Sequence, residues 1–533
     1  MWISLSLSGS SWSGSTLPVR VGYAHAIVIA QPVSAADLVG CRYRQVQKLR
    51  HPEVPRTRAA RMRQERVEAA RAAVHALLPV RPARGDRQRF LRVDVPPVPL
   101  EDDSFHAEMA TLEALAAQAD LITGAVFTGT SSGVDWRVDV DLLVRRPDDT
   151  YMPVIISNHR VARADDGSST PVIATARLGL GQAVEARYRL RHHVTDGYRL
   201  GLAARALEEI GVDSGVGAAI GQDRSRAFLT PTAPLQPALD AALTAELPDF
   251  PRRVKECATC RFWPLCEEQL VAVDDISLYL AGDRARKYRD EGIDTVGGLI
   301  EADLGDASRL AQAWRDGVVL LRKVDEVTAP ATDVEIDVDM EAYLDQGAYL
   351  WGAFDGENYQ PFATWVPLGG DGEAENFARF WHWLMERRER AHAAGQSFAA
   401  YCWSNHGENH WLLMSARRFV GRTFGSVRVP TEAEVRAFIS SPEWVDVFRL
   451  VRAQLAGPGG LGLKVVAPEA GYTWEDGDFD GEESVNARRI SRGSDTAALE
   501  ARRQLLRYNE DDCRATAAVR HWLRAGAPGV EQL

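Results

Sequence analysis

The stretch DVEIDVDME at residues 333–341 constrains the fold most, because its polarity changes at every residue. Acidic residues occupy the odd positions and apolar residues the even ones, which is the period of a β-strand. One face of such a strand would be hydrocarbon, and the other would carry a row of carboxylates. Like charges on one side of a strand repel unless water or a cation offsets them. The stretch therefore predicts a strand whose acidic face is either fully solvated or bound to metal.

The length of 533 residues allows about three or four domains at roughly 100–200 residues each. With 45% hydrophobic and 26% charged residues, the composition is that of an ordinary globular protein. No apolar run approaches the roughly 20 residues of a membrane span. We therefore expect a cytoplasmic protein without a membrane partner. Residues 1–33 lack a proper hydrophobic segment and are predicted to be a disordered leader.

The net charge of −12 argues against broad nonspecific attraction to nucleic acid. Two basic stretches, at 42–66 and 187–193, are local exceptions. Each is either a nucleic-acid contact or a solvated helix face, and the sequence alone leaves both interpretations open.

The order of predicted elements indicates an α/β multidomain protein. Residues 34–270 contain two strands around the turn-rich RPDDT and helical segments at 182–211, as an α/β domain does. Residues 271–328 form short helices between glycine turns and look like a helix-hairpin-helix connector. In 329–533, three strands precede alternating helices and strands, an order that resembles the ribonuclease H-like α/β layer fold.

Four of the six cysteines form a metal-binding pattern. Cys41 stands alone, and CATCRFWPLC supplies Cys257, Cys260 and Cys266. Four thiolates hold either a tetrahedral zinc ion or an iron–sulfur cluster, and the spacing does not separate these two. The remaining cysteines lie in apolar periodic segments and are predicted to be core residues, namely Cys402 and Cys513.

A lone cysteine in an early helix followed by C-x2-C-x5-C resembles the RecB-like nucleases that carry a [4Fe–4S] cluster, such as CRISPR-associated and AddB-type nuclease domains. The resemblance covers about 34–270. It implies a restriction-endonuclease-like α/β domain whose two ends are held together by the cluster. The family also uses an Asp on one strand, Glu-x-Lys on the next strand and Gln-x3-Tyr on a helix.

The metal ligands of that family are matched only in part. Asp141 occupies the position of the family's Asp. Ile155 and Ser157 stand where Glu and Lys are expected, and Arg199 and Ala203 replace Gln and Tyr. Without the Glu a metal loses a ligand, and without the Lys the attacking water loses its electrostatic partner. We therefore predict a degenerate RecB-like domain that binds DNA, with Asp141 as a vestigial site; a weak residual activity is the alternative.

A second group of acids lies in the C-terminal part. Tyr508 and Asp512, in LLRYNEDDCRAT, are four residues apart on a predicted helix and share a face. Glu408 follows a strand at the start of another helix. Asp-x-Glu on a first strand, an acid after the fourth and Tyr-x3-Asp on the last helix resemble the DEDD-type exonucleases, and more closely the ribonuclease H-like module fused to RecB-like domains. The corresponding residues here are Asp339, Glu341, Glu408, Tyr508 and Asp512.

This resemblance covers about 329–533 and implies two-metal chemistry. Two Mg²⁺ or Mn²⁺ ions about 4 Å apart need several carboxylates at one point. Asp339 and Glu341 would bind both ions, the other two acids would complete the shells, and Tyr508 would orient the attacking water. The pattern departs from the family at Glu408, where an Asp is usual. Asp446 is either a further contact or a helix N-terminal charge.

Together these patterns predict a metal-dependent 3'–5' exonuclease, favouring DNA over RNA, that works in DNA-end repair or processing with a helicase or repair partner. Two alternatives remain open at this point. One is a noncatalytic iron–sulfur protein that binds nucleic acid, and the other is a nuclease directed at RNA, because the fold itself does not distinguish the sugars.

Overall fold

The structure is a computed structural model that describes residues 32–81, 90–96, 105–475, 479 and 481–533. The predicted leader lies outside these residues except for its last two. Val33 is already part of the fold, since its amide donates to the carbonyl of Asp135 and its carbonyl accepts from Arg137. Within the described residues, no helix has both the length and the apolar character needed to cross a membrane.

The N-terminal unit is built around a mixed sheet. Its elements in chain order are α1 (Tyr43–Arg50), α2 (Arg58–His75), β1 (Arg92–Asp94), α3 (Phe105–Ala116), β2 (Leu121–Ser131), β3 (Val134–Arg145), β4 (Tyr151–Ile156), β5 (Ala162–Ala164), β6 (Thr170–Ala174), β7 (Val184–Ala186), β8 (Tyr188–Leu190), α4 (Val194–Glu209), β9 (Val216–Ile220), β10 (Arg226–Pro231), α5 (Gln236–Thr244) and α6 (Trp263–Ala272). The sheet order is β1-β2-β3-β4-β9-β10-β6-β7. Strand β4 is buried along its whole length, as its apolar sequence requires.

The strands predicted on either side of RPDDT are confirmed as β3 and β4. The helical prediction for 182–211 is wrong in its first half. This part forms β7 and β8, in which Ala186 pairs with Thr170, and α4 begins only at Val194. Helix α4 then covers the sheet with buried residues that recur every three or four positions, including Leu200, Ala203 and Leu207.

The part predicted as a connector is helical and has an apolar core of its own. It contains α7 (Arg286–Asp290), α8 (Val296–Glu301), α9 (Asp306–Arg315) and the short strand β11 (Leu321–Arg322). Ile276, Tyr279, Val296 and Leu299 are among its buried residues. Its assignment as helix-hairpin-helix stays a prediction.

The C-terminal unit is an α/β layer structure. Its elements are β12 (Val334–Tyr343), β13 (Gly347–Phe354), β14 (Tyr359–Ala363), α10 (Asp371–Ala393), β15 (Phe398–Cys402), α11 (Asn405–Arg418), β16 (Thr423–Phe424), β17 (Val427–Arg428), α12 (Glu432–Ile439), β18 (Trp444–Asp446), α13 (Val447–Gln454), β19 (Leu455–Ala456), α14 (Leu463–Glu469), α15 (Gly481–Ile490), α16 (Thr496–Arg524) and β20 (Glu531–Gln532). The main sheet has the order β14-β13-β12-β15-β18. Pairing is antiparallel from β14 to β12 and parallel from β12 to β18.

The acidic stretch forms the central strand β12, which confirms the strand prediction. Its apolar face, with Ile336 and Val338, packs in the core that Phe377 of α10 and Leu412 of α11 help to form. Its acidic face lies against α16, the 29-residue last helix. Side chains of α16 therefore decide what the carboxylates meet.

Candidate active site

Three carboxylates converge between β12 and α16. One oxygen each from Asp339, Glu341 and Asp512 lie within 4.8 Å of one another. The first two reach the same face because they are two residues apart on a strand, and α16 brings Asp512 over them. Oxygen ligands at this separation suit a hard divalent cation.

The three carboxyls hold their protons unusually tightly. Burial and the charges of Asp512 and Glu341 raise the pKa of Asp339 well above its usual range. Burial and the charge of Asp512 raise the pKa of Glu341 to about 8, and burial raises the pKa of Asp512 to about 6. Desolvation and mutual repulsion disfavour the charged forms, and a bound divalent cation would reverse both effects.

Glu408 lies within electrostatic reach of this group. It is buried in the first turn of α11, directly after β15, the parallel neighbour of β12. It is not among the three acids that meet within 4.8 Å, yet its charge helps to raise the pKa of both Asp339 and Glu341. Burial and the charge of Asp446 raise the pKa of Glu408 itself to about 7. The acid predicted after the fourth strand is thus near the site.

Tyr508 shares a face of α16 with Asp512 and forms a side-chain hydrogen bond with it. Burial and the Asp512 charge raise the pKa of the phenol, so it remains a neutral donor. The Tyr508 ring packs against Phe479 with 5.1 Å between the two ring centroids. This contact holds the hydroxyl beside the carboxylate of Asp512.

Asn509 is a site residue that sequence reasoning missed. Its buried side chain donates to Asp339 over 2.6 Å and accepts from the hydroxyl of Tyr359 over 2.6 Å. Gly352 makes room for it, because a Cβ there would collide with the Asn509 amide oxygen. The residue stands inside the motif YNEDD, but only the packing of α16 on β12 reveals its partner.

Two further residues outside the predicted set support Asp512. The indole of Trp474 donates to the Asp512 carboxylate over 2.8 Å. The charge of Lys464 acts to lower the pKa of Asp512, and its ammonium lies 5.3 Å from the Tyr508 ring centroid. Both come from the segment between α13 and α15.

The repulsion among the other acids of this strand is relieved by pairing with protein side chains. Arg520 of α16 donates to both carboxylate oxygens of Asp337, at 2.8 and 2.7 Å, and also pairs with Glu335. Arg524 donates to Glu335 over 3.0 Å. Asp333 accepts from Ser397. The sequence suggested water or metal, whereas protein arginines neutralise this half of the strand.

Asp446 accepts a hydrogen bond from the amide of Arg449 over 2.8 Å and thereby caps α13. This contact fits the predicted helix N-terminal charge. The amide of Asn405 also donates to Asp446 over 3.3 Å, and a role as a further contact of the site stays a prediction.

Asp141, the predicted vestigial ligand, is buried on β3 and already has cationic partners. Arg71 of α2 donates to it over 2.6 Å and Arg199 of α4 over 2.8 Å. The amide of Ile156 donates over 2.7 Å. Burial alone would raise the pKa of Asp141, but the two guanidiniums hold it below its usual range. The hydroxyl of Ser157 donates to Asp196 over 2.6 Å.

The four predicted cysteine ligands come from both ends of the N-terminal unit and lie in one region of it. Among the described residues, no three of their sulfurs lie within 4.8 Å of one another. Cys266 belongs to one apolar cluster, and Cys41 and Cys260 pack against the same cluster. Cys257 lies within electrostatic reach of these three residues, and all four are free thiols. Gln47 donates to the sulfur of Cys266 over 3.4 Å, and the amide of Val254 to that of Cys257 over 3.3 Å. Such N–H···S contacts suit metal-bound thiolates. Cys402 and Cys513 are buried in the C-terminal unit, as predicted.

Comparison with known proteins reaches only the C-terminal unit. A family model of the RNase H superfamily matches residues 364–524. The match includes Glu408, Tyr508 and Asp512, and it begins after β12. No curated protein and no solved structure matches the chain.

The fold and the match together define a mixed α/β multidomain protein with a ribonuclease H-like C-terminal domain. This similarity indicates a metal-dependent nuclease that acts on phosphodiester bonds of nucleic acid, and the group of three acids fits a divalent metal.

Proposed function

We propose that the C-terminal domain is a 3'–5' exonuclease that hydrolyses DNA by two-metal catalysis at Asp339, Glu341, Glu408 and Asp512. The observation that carries the proposal is the convergence of three of these carboxylates within 4.8 Å. These three are Asp339, Glu341 and Asp512. In the described part of the chain, no arginine or lysine forms an ion pair with them. Their hydrogen-bond donors include the neutral side chains of Asn509 and Trp474. The carboxylates therefore have capacity left for cations.

Each residue of this site has a distinct task in the proposal. Mg²⁺ or Mn²⁺ would supply the positive charge that polarises the phosphodiester and activates a water. Asn509 holds the Asp339 carboxylate in place, and Trp474 does the same for Asp512. The Tyr508 hydroxyl, kept protonated by its surroundings, is available to orient the attacking water.

The N-terminal unit would grip DNA and would not cut it. The support for this is Asp141, whose carboxylate is occupied by two guanidiniums where a nuclease would bind metal. Cys41, Cys257, Cys260 and Cys266 would hold a [4Fe–4S] cluster, with zinc as the other option for four thiolates. A setting in cytoplasmic DNA-end repair, with a helicase or repair partner, belongs to the same proposal.

The nuclease activity is tested with purified protein and Mn²⁺ on end-labelled single-stranded DNA, double-stranded DNA and RNA. We expect stepwise shortening of DNA from the 3' end, abolished by EDTA and by Asp512→Asn. The matched control is Glu510→Gln, two residues earlier on α16, where the side chain pairs with Arg514 on the surface. Cutting by Asp512→Asn at the parent rate would place the chemistry elsewhere.

The cluster is tested separately by iron and zinc analysis of the purified protein. A [4Fe–4S] site should give about four irons per chain and a broad absorption near roughly 400 nm, both reduced in Cys260→Ser. One zinc per chain without visible absorption would contradict the cluster and leave the four ligands in place.

A further inference from the structure

A groove lined by arginines opens on the surface of the C-terminal domain. Its volume is about 480 Å³, and its walls are Trp365, Val366, Pro367, Arg489, Arg492 and Arg502, with Gly493 between them. We call it the arginine groove. The wall residues come from the segment after β14, from the end of α15 with the loop that follows, and from the first turns of α16.

Among the described residues, no carboxylate forms an ion pair with Arg489, Arg492 or Arg502. Arg489 donates to the neutral side chain of Asn486, and Arg502 donates to the carbonyls of Ser491 and Gly493. Arg492 is exposed, and no hydrogen bond or ion pair to it is found among the described residues. Three guanidiniums therefore face one space without an acidic partner in the described part of the chain, which is a setting that favours an anion.

A buried fourth arginine stiffens this wall. Arg488 is 1% exposed and donates to the carbonyls of Trp365 and Val366, over 3.4 and 2.9 Å. Its guanidinium stacks on the ring of Tyr349, 4.7 Å from the centroid. Burial and the charges of Arg492 and Arg502 lower the pKa of Arg488 to about 10, which reports the same positive potential.

One apolar cluster links the arginine groove to the carboxylate site. Tyr349, Trp365 and Tyr508 belong to the same apolar cluster. Tyr349 also lies beside Glu341, at the irregularity in the pairing of β12 with β13. Along α16, Arg502 precedes Asp512 by ten residues, or about 15 Å at about 1.5 Å per residue. A stacked strand at about 3.4 Å per nucleotide covers this distance in roughly four nucleotides.

We propose that the arginine groove binds the backbone phosphates of a single nucleic-acid strand, a few nucleotides away from the bond that the carboxylate site cuts. This rests on the proposed nuclease function. Guanidiniums pair with phosphates bidentately, and the Trp365 ring beside Val366 and Pro367 offers a surface for a base. The groove is thus a substrate-binding site that would set the minimum length of a well-bound strand.

The test measures binding of a fluorescein-labelled 12-nucleotide single strand by anisotropy in EDTA, so that cutting does not interfere. Arg492→Glu is the main variant, because Arg492 makes no hydrogen bond or ion pair with the residues that the structure describes, and Arg503→Glu is the control. Arg503 is an exposed arginine next to Arg502 and pairs with Glu500. We expect Arg492→Glu to bind on the order of 10-fold more weakly. The slope of log affinity against log salt should become shallower by about 0.7 per lost phosphate contact.

Parent-like affinity and salt slope in Arg492→Glu would overturn the groove proposal, as would equal binding of a double strand. If binding depends on Arg492 but the parent cuts no nucleic acid with Mn²⁺, the groove stands and the nuclease function fails. If the parent cuts, Arg492→Glu should raise KM for the 12-nucleotide strand and leave KM for a dinucleotide unchanged, since a dinucleotide is too short to reach the groove. A similar rise for both would indicate distortion of the carboxylate site instead.

Discussion

Asp141 in the N-terminal unit and Asp339 in the C-terminal unit occupy comparable places, each on an inner strand of a sheet and facing helices. Their electrostatic surroundings are opposite. Arg71 and Arg199 lower the pKa of Asp141, whereas burial and further acids raise the pKa of Asp339. A buried carboxylate that is already paired with two guanidiniums gains little electrostatic stabilisation from a metal ion, whereas one surrounded by other acids gains much.

The same contrast recurs within β12 alone. Asp337 and Glu335 are paired with arginines from the last turns of α16, while Asp339 and Glu341 face Asn509 and Asp512 earlier on the same helix. A single helix thus supplies cations to one half of the strand and leaves the other half for an external cation.

The largest expected effect separates the two units by activity. Asp339→Ala and Asp512→Ala should each lower the nuclease rate by several orders of magnitude, because each removes a metal ligand. Asp141→Ala should leave the rate nearly unchanged. Single-turnover cutting of end-labelled DNA measures all three, and loss of cutting in Asp141→Ala would break the contrast.

A smaller loss is expected for Tyr508→Phe, on the order of 10–1,000-fold, because it removes a hydrogen bond to the attacking water and no ligand. The cutting rate of Tyr508→Phe is also measured as a function of pH and compared with that of the parent. A rate equal to that of the parent would show that the hydroxyl serves only Asp512.

The free energy of unfolding should rank the variants in the opposite order to the nuclease rate. Asp141→Ala leaves two guanidiniums without their buried partner and should cost about 3 kcal/mol in the free energy of unfolding. Asp139→Ala on the same strand is the control, since its pair with Arg137 is more exposed and should be worth about 1 kcal/mol or less. In metal-free protein, Asp339→Ala should be neutral or slightly stabilising. Urea unfolding measures the three values, and a large loss in Asp339→Ala would favour a structural role for the acids.

A further effect is a pH dependence of the metal-free fold. The pKa of Glu341 is raised from 4.5 to about 8, so the folded state keeps a proton that the unfolded chain releases. This contribution is full below the unfolded pKa and is lost as the pH rises through the folded pKa. Tm in EDTA should therefore fall from about pH 5 to about pH 8, and less steeply in Glu341→Gln. Equal slopes in calorimetry would contradict the raised pKa.

The sequence predicts the parts of this site that depend on local period. Alternation at 333–341 places the acids on one side of a strand, and four-residue spacing places Tyr508 beside Asp512. The partners Asn509 and Arg520 are eleven residues apart, about three turns, so they lie on one face of α16. Which acid each one meets depends on how α16 packs against β12, and no local pattern fixes that.

Other features required the tertiary structure for the same reason. The expected helix at 184–190 is a pair of strands, because pairing with β5 and β6 overrides the local pattern. The pairing of Asp141 with Arg71 joins residues 70 positions apart. The RecB-like and iron–sulfur assignments rest on resemblance and are tested by the metal analysis above.

The central claim is that the acids of the C-terminal domain bind divalent metal and that Asp141 does not. Titration of Mn²⁺ into the protein, followed by the electron paramagnetic resonance of the free ion, measures this directly. We predict about two Mn²⁺ per chain for the parent and for Asp141→Ala, and a clear loss of bound Mn²⁺ in Asp339→Asn. Parent-like binding by Asp339→Asn, or loss of binding in Asp141→Ala, would contradict the account.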